Sequence, residues 1–570
     1  MSLPDTYRGS PGGAFAHAFA AQCRRWANAR GKDAAWQAGY RLALAEQEGK
    51  TCIELTAAET LALSLSGLLA TEDDSGKPLI LDQSGRLYLA RYFSAEKELA
   101  ASLAARNRAL PLASQSAARA MLAQLFPNAE HEAQRQAVTL ALSRQLVILS
   151  GGPGTGKTHS IARLLACLLA ETPGLRIALA APTGKAAARM QESLAQAAAT
   201  LPPAIRALLP TETFTLHRLL GISADGLSPR YHSDHPLPFD LFVVDEASML
   251  DLILAQQLCA ALPATARLIL LGDKAQLPAV EAGHVFAALT EAEALREAVL
   301  QLAKSYRFSP DSPLDSLIAA LSAGDNEAAE AAFATSGDDL HWLKETGTTL
   351  SPPALQTLAD GFAAWQSAFA AWRPGASPMP LFAALNEFRV LAVLREGERG
   401  AFAINAHLNR LFAPRHNVFR HNIFRHHAEN LYPGQAIMII RNDPNTRLYN
   451  GDTGILLPQS DNASRLKACF PDPENGGWRY LDISRLPEFE SAFALTAHKA
   501  QGSEFTRVAL VLPGQDTPLL TRELIYTALT RAKKRALLLG DSRLLTIALG
   551  RTMQHARALS ERIRQACAEA

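Results

Sequence analysis

Seven short apolar runs stand out along the chain. They are QLVILS (145–150), RIALAAP (176–182), LFVVDE (241–246), RLILLGD (267–273), FRVLAVL (388–394), RVALVLP (507–513) and RALLLGD (535–541). Each is continuous where a half-buried strand would alternate, and helical stretches separate them. Runs of this kind predict central strands of parallel sheets buried on both faces. They fall into two groups, and RLILLGD and RALLLGD end in the same Gly-Asp, as two related α/β domains in one chain would. Residues 1–110 show Ala/Leu periodicity and no chemical motif, which predicts a helical N-terminal domain. Residues 346–380, rich in Pro, Gly, Ser and Thr, predict a connecting region with some helix. Within the second group, about 431–490, apolar segments alternate with Asn-Asp-Pro and Asn-Gly-Asp turns, which predicts a small inserted β-barrel.

Composition narrows this picture only slightly. A chain of 570 residues is too long for one core. With a formal net charge of +1 there is no bulk basic signature, so a polyanion would have to be held in local grooves. The six cysteines are scattered with no CxxC, which argues against zinc or an iron–sulfur cluster and suits a reducing cytoplasm. The N-terminus lacks a basic stretch followed by an apolar one, and no apolar stretch is long enough to span a bilayer. The expected protein is soluble and cytoplasmic, with no membrane partner. Glu48-Gly49-Lys50 has the form of a nuclease E-x-K, but no carboxylate constellation accompanies it, and a solvated turn explains it.

The chemistry begins at GGPGTGKT, Gly151 to Thr158, between an apolar run and the helical stretch IARLLACLLA. It fits G-x-x-x-x-G-K-[ST]. Gly151, Gly152, Pro153, Gly154, Thr155 and Gly156 would wrap backbone N–H groups around the phosphates of ATP. Lys157 would reach the β/γ-phosphates and Thr158 would ligate Mg²⁺. FVVDEAS (242–248) carries Asp245 and Glu246 to a strand end, where one can hold Mg²⁺ and the other activate the attacking water. Gln276 in GDKAQLPA can sense the γ-phosphate. Arg307 in LAKSYRF and Arg531 in IYTALTRAKK lie outside the phosphate loop, and an arginine supplied across a domain cleft stabilises the transferring phosphoryl group.

The ordered set GGPGTGKT, APTGKAA (181–187), VVDEAS, GDKAQLP, SYRF, LTAHKAQGSEF (495–505) and YTALTRAKK resembles the motif series of superfamily 1 DNA helicases. TFTLHRLLG (213–221), FRVLAVLREGERG (388–400) and MIIRNDPNTRLYNGDTGIL (438–456) narrow the resemblance to the RecD family, alpha subunits of exodeoxyribonuclease V, over about residues 120–550. The resemblance implies an α/β fold of two RecA-like P-loop motor domains, 111–345 and 381–570, with an SH3-like barrel inserted in the second. The first hundred residues would be a partner-binding domain. It implies an ATP-dependent helicase moving 5′ to 3′ along single-stranded DNA from duplex ends, in double-strand break repair and recombination. A RecB-like helicase-nuclease and a RecC-like scaffold would complete a heterotrimer. By the same carry-over Thr183, Gly184, Lys185, Thr215 and His217 would line the DNA groove of the first motor. Thr496, His498 and Lys499 would face DNA from the second, while Gln501, Gly502 and Glu504 face the nucleotide. Gln134 resembles the adenine-reading glutamine, with Gln136 a competitor. His159 departs from the family, in which Thr often follows GKT.

In RLFAPRHNVFRHNIFRHHAEN (410–430), arginines and histidines interleave with Phe412, Phe419 and Phe424. A stacking surface for single-stranded DNA, a metal site, and an amphipathic helix and loop under the barrel are all open; the last is preferred. Two other functions stay in view. One is a regulatory, DNA-stimulated ATPase switch, against which a full motif set from both motors argues. The other is a free-standing RecD-like helicase, which would carry a longer segment before the phosphate loop than the 150 residues found here. No nuclease constellation is present in the sequence.

Overall fold

The computed structural model describes residues 11–72, 76–110, 116–127, 132–222, 228–279, 281–302, 307–309, 312–335, 337–413, 419–420, 430–443, 445–459, 465–472, 476–551 and 557–569. All seven apolar runs form parallel strands. The first sheet has six, in the order Val299–Leu302, Leu146–Gly151, Arg267–Gly272, Leu241–Val244, Ile177–Ala181 and Phe214–Thr215. Its four central strands are almost entirely apolar and buried because both faces are covered. Leu146 and Ile148 pack into one cluster, while Val147 and Leu149 pack into another on the opposite face. The second sheet has five parallel strands, ordered Leu340–Lys344, Ala532–Gly540, Phe505–Val511, Phe388–Ala392 and Ala494–Thr496. Between Phe388–Ala392 and Ala494–Thr496 the chain leaves this sheet to build a separate five-stranded antiparallel sheet, Ala436–Ile439 to Phe489–Ser491.

Three expected boundaries move. Residues 1–110 are not purely helical, because Cys52–Glu54, Leu69–Thr71, Leu79–Leu81 and Arg86–Leu89 form a four-stranded sheet. These strands are three or four residues long, too short to break an Ala/Leu periodicity that favours helix. Second, the first motor ends before 345. Strand Leu340–Lys344 pairs with Ala532–Gly540, and helices Pro313–Ala323 and Asn326–Ala334 join the second core. Residues 346–380 also belong there, since Leu358 and Trp365 are buried in that core.

The third change concerns the C-terminal helix Arg557–Glu569, expected in the second motor. Leu559 and Ile563 instead pack with Tyr92 and Leu99 of helix Ala90–Arg106 against the first sheet. A buried charged group fixes the arrangement. Arg562 Nε lies 3.2 Å from Glu96 Oε2, with its guanidinium over the rings of Phe93 and Tyr88. Thr51 donates to Glu96 at 2.6 Å. A buried charge is tolerated when paired and hydrogen-bonded in this way. Glu48 and Lys50 form an exposed ion pair at a turn. Most of segment 410–430 lies outside the described residues. Within it, Phe412 packs edge-on against Phe362 and Phe493 and tilted against Trp365, and Phe419–Arg420 pairs with Asn430–Leu431.

Candidate ATP cleft and DNA face

The C-terminal ends of the first sheet's strands meet at one cleft, where ligands bind in open α/β sheets. Strand Leu146–Gly151 delivers the phosphate loop to the start of helix Lys157–Glu171. Gly154 and Gly156 adopt φ of 75° and 79°, the left-handed region that glycine enters without a Cβ penalty. Lys157 donates to the carbonyls of Gly151 and, at 3.1 Å, Gly152, folded over its own loop. Asp245 and Glu246 follow strand Leu241–Val244. Glu246 is held at φ 52°, a conformation that costs a non-glycine residue about 1–3 kcal/mol and is retained mostly at functional positions. Burial, and then neighbouring Glu246, push the Asp245 carboxyl above the usual carboxylate range. A divalent cation would relieve both effects.

Gly152, Pro153, Gly154, Gly156, Lys157, Asp245, Glu246, Gln276 and Arg531 line a cleft of ≈ 160 Å³ together with Ala186 and Arg189. The second motor closes it through a set of direct bonds. Tyr526 donates to Asp273 at 2.8 Å, and Gln276 donates to the same Asp273 oxygen at 3.2 Å. The backbone N–H of Leu277 reaches Thr527 at 2.7 Å, and Gln501 donates to the Leu277 carbonyl at 2.9 Å. Arg307 donates to the Thr530 carbonyl at 2.8 Å and pairs with Glu504. Arg531 is buried, donating to the Thr527 carbonyl at 3.1 Å.

Gln134 and Gln136 separate cleanly. Gln136 is exposed and donates to Glu132, whereas Gln134 is buried beside the phosphate loop, its Nε2 3.8 Å from where a Cβ on Gly156 would sit. Its Oε1 is buried without a hydrogen-bond partner among the described residues. An acceptor and a donor next to the phosphate loop suit the amino group and ring nitrogen of an adenine. The side chains of Thr158 and His159 lie outside the described residues.

The expected DNA residues form a second face. Thr183 caps helix Gly184–Ala198 by accepting from the Ala186 N–H, and Thr215 caps the short helix Leu216–Leu220 by accepting from the Arg218 N–H. Gly184 and Thr215 are neighbours, 3.9 Å between a Cβ built on the first and the Thr215 methyl. His217 is exposed in the first turn of that short helix. Thr496 caps the facing turn by accepting from the Lys499 N–H at 3.3 Å, and Gly502, at φ 71°, brings that turn against Ala186 and Thr183. Burial pushes the His498 imidazole below its usual pKa. Lys185 sits near the Phe505 ring, and burial, then Arg389, bring its ammonium down to about 8. Lys499 is ion-paired at 2.6 Å with Glu490 on the last strand of the inserted sheet.

With this geometry in place, the comparisons are specific. A family model described as an AAA domain matches residues 134–282, and one described as a UvrD-like helicase C-terminal domain matches 491–539. The RecBCD enzyme subunit RecD of Mycolicibacterium smegmatis is 36% identical over 518 residues, 89% of this chain and 86% of its own length. The chain belongs to the RecD family. The subunit of the same name from Haemophilus influenzae is 31% identical, covering 76% of this chain and 73% of its own. An ATP-dependent RecD2 DNA helicase of Deinococcus radiodurans is 32% identical over 87% of this chain but 61% of its own length. A solved structure of forked-duplex unwinding by two coordinating Pif1 helicases overlaps with a TM-score of 0.42 at 18% identity, over 77% of this chain and 97% of its own, too loose a likeness to carry weight.

Two cleft residues of this RecD-family chain escaped the sequence reading. Tyr526 sits inside IYTALTRAKK, but nothing in the motif says that its hydroxyl crosses to Asp273. Arg189 follows APTGKAA on helix Gly184–Ala198 and pairs with Glu504. Its spacing, four residues after Lys185, was the available signal: residues at i and i+4 share a helix face.

Proposed function

We infer that this RecD-family chain is an ATP-dependent DNA helicase, the motor subunit of a RecBCD-type exodeoxyribonuclease V, translocating 5′ to 3′ on single-stranded DNA. The observation that best supports this is a cleft lined by both motors, with the phosphate loop, the acidic pair and Arg189 from the first and Arg531 from the second, and with Arg307 and Tyr526 bonding across it. Only a two-domain ATPase has use for that arrangement.

The proposed chemistry is hydrolysis. Lys157 and the phosphate-loop N–H groups bind the β/γ-phosphates, and Gln134 orients the base. Mg²⁺, held by Thr158 and Asp245, would supply charge neutralisation when bound. Glu246 takes a proton from the attacking water as its oxygen bonds to the γ-phosphorus and the bond to the β–γ bridging oxygen breaks. Arg307 and Arg531 stabilise the transferring phosphoryl group, and Gln276, tied to Asp273, reports its presence to Tyr526. Thr183, Gly184, Lys185, Thr215 and His217 grip DNA from one motor. Thr496, His498 and Lys499 grip it from the other, so closing and opening the cleft moves the strand. The inserted antiparallel sheet is read as the SH3-like barrel of the family. We read the N-terminal domain as the surface for a RecC-like scaffold, with a RecB-like subunit as nuclease; exposed Phe15, Trp26, Leu61 and Leu65 (52%, 54%, 70% and 50%) support that reading.

Strand displacement by the purified chain on duplexes with a 5′ or a 3′ tail tests the reading. Unwinding from the 5′ tail alone, lost in Lys157→Gln, is expected. DNA-stimulated ATPase without displacement on either tail, persisting after partner subunits are added, would replace the motor with a regulatory switch.

A further inference from the structure

We propose that Arg189 is a third phosphate-directed arginine, held in reserve by Glu504, that carries the DNA signal into the ATP cleft. The inference rests on the ATPase reading above and adds a residue and a route to it.

Glu504 is the meeting point. One of its oxygens is ion-paired with both Arg189 and Arg307, and Lys533 lies 3.8 Å from the other. The carboxylate's side chain is 11% exposed, so its partners are not exchanged freely with water. Three cations on one carboxylate exceed what a resting ion pair needs. The surplus has an obvious use beside a phosphate loop, where a γ-phosphate would bring additional negative charge. Arg189 lines the same cleft as Lys157, Glu246 and Arg531 and is 39% exposed, so it is free to swing from carboxylate to phosphate. Arginine's planar fork suits both acceptors equally.

The route follows from where Arg189 is mounted. Thr183, Gly184 and Lys185 open the helix that carries it, on the proposed DNA face. Arg189 projects one turn later towards the nucleotide. The turn bearing His498 and Lys499 packs directly on the same helix start, since a Cβ on Gly502 would lie 3.6 Å from that of Ala186. A strand gripped by Lys185 and Lys499 would therefore press on the piece of backbone that positions Arg189. Glu504 follows Gly502 by two residues, so the same movement shifts the carboxylate away from its partners.

Steady-state ATPase of the full-length chain, with and without oligo-dT, tests this. Arg189→Ala is expected to lower the DNA-stimulated kcat roughly 100-fold, the usual scale for removing one transition-state donor, with a small change in KM. Arg189→Lys restores part of that loss. Glu504→Gln is expected to move the opposite way, raising the DNA-free rate several-fold because its arginines are released. A merely structural ion pair would make the two substitutions act in the same direction, which overturns the proposal. So does a stimulated kcat in Arg189→Ala within twofold of wild type. A wild-type chain with no stimulated ATPase at all would instead sink the motor reading itself. Thermal unfolding of each variant separates loss of fold from loss of chemistry.

Discussion

The ATP cleft and the proposed DNA face both carry cations already matched to protein carboxylates, but they do so differently. In the cleft, one carboxylate collects several. Glu504 holds Arg189 and Arg307, with Lys533 nearby. Burial pushes its carboxyl up, but the two guanidiniums outweigh that effect and hold it at about 2. On the DNA face the two lysines are separate. Lys499 is tied to Glu490, and Lys185 stands apart beside Phe505 with Asp452 as a more distant countercharge. A shared carboxylate makes its cations change partner together, so the cleft responds as a unit. Separately held lysines can exchange with phosphates one at a time, which suits a surface that must release one nucleotide while keeping the next.

The comparison breaks most visibly if the DNA face is emptied. His498→Ala combined with Lys499→Ala is expected to reduce single-strand stimulation of ATPase by tens of fold, the upper range of coupling between two sites. Arg531→Ala should instead lower hydrolysis with and without DNA alike. The neutral state that burial favours for His498 adds a second signature. Only Lys499 releases a counterion, so the slope of log affinity against log salt should fall by about 0.7, the value for one cation on a single strand. A fall twice as large would mean that His498 binds as a cation.

A smaller effect tests the carboxylates of the face directly. Glu490 accepts from Lys499 at 2.6 Å and lies 3.5 Å from Arg395. Glu490→Gln removes the competitor of an incoming phosphate and should tighten single-strand binding roughly fivefold, the upper end for a partly exposed ion pair. Weaker binding in fluorescence anisotropy would show that Glu490 positions Lys499 for DNA, and that the two faces use their carboxylates alike.

Much of this was legible in the sequence, for a physical reason. A strand buried on both faces must be apolar at every position, so Leu146–Gly151 and Leu241–Val244 announced themselves, as did the phosphate loop whose glycines permit positive φ. Short edge strands gave no such signal. Leu340–Lys344 is covered on one side only and reads LHWLK, and Cys52–Glu54 has three residues. Helix Arg557–Glu569 was misplaced because the partners of its Arg562, Glu96 and Asp82, are more than four hundred residues away in sequence. Arg189 shares part of that reason: its spacing from Lys185 places it on the same helix face, but its pairing with Glu504 across domains leaves no local pattern.

The smallest expected effect concerns Lys185. In the folded chain its ammonium titrates at about 8, against an ordinary value of 10.5, chiefly because it is buried and then because Arg389 repels it. The sign follows from which state holds the proton more tightly. The unfolded chain does, so the penalty for burying the charged form is fully present below pH 8 and is relieved as pH rises towards 10.5. DNA acts in the opposite sense, because a phosphate beside Lys185 favours the ammonium. Above pH 8 binding must therefore take up a proton, and affinity should fall by roughly threefold between pH 7 and 9, a modest share of one charge-assisted contact. The Lys185→Arg variant keeps its charge throughout this range and should flatten the curve. Buffers of different ionisation enthalpy would detect the proton directly by calorimetry. A wild-type curve already flat, or a Lys185→Arg variant with the wild-type slope, would place Lys185 off the DNA path and leave Lys499 as the cation that grips the strand.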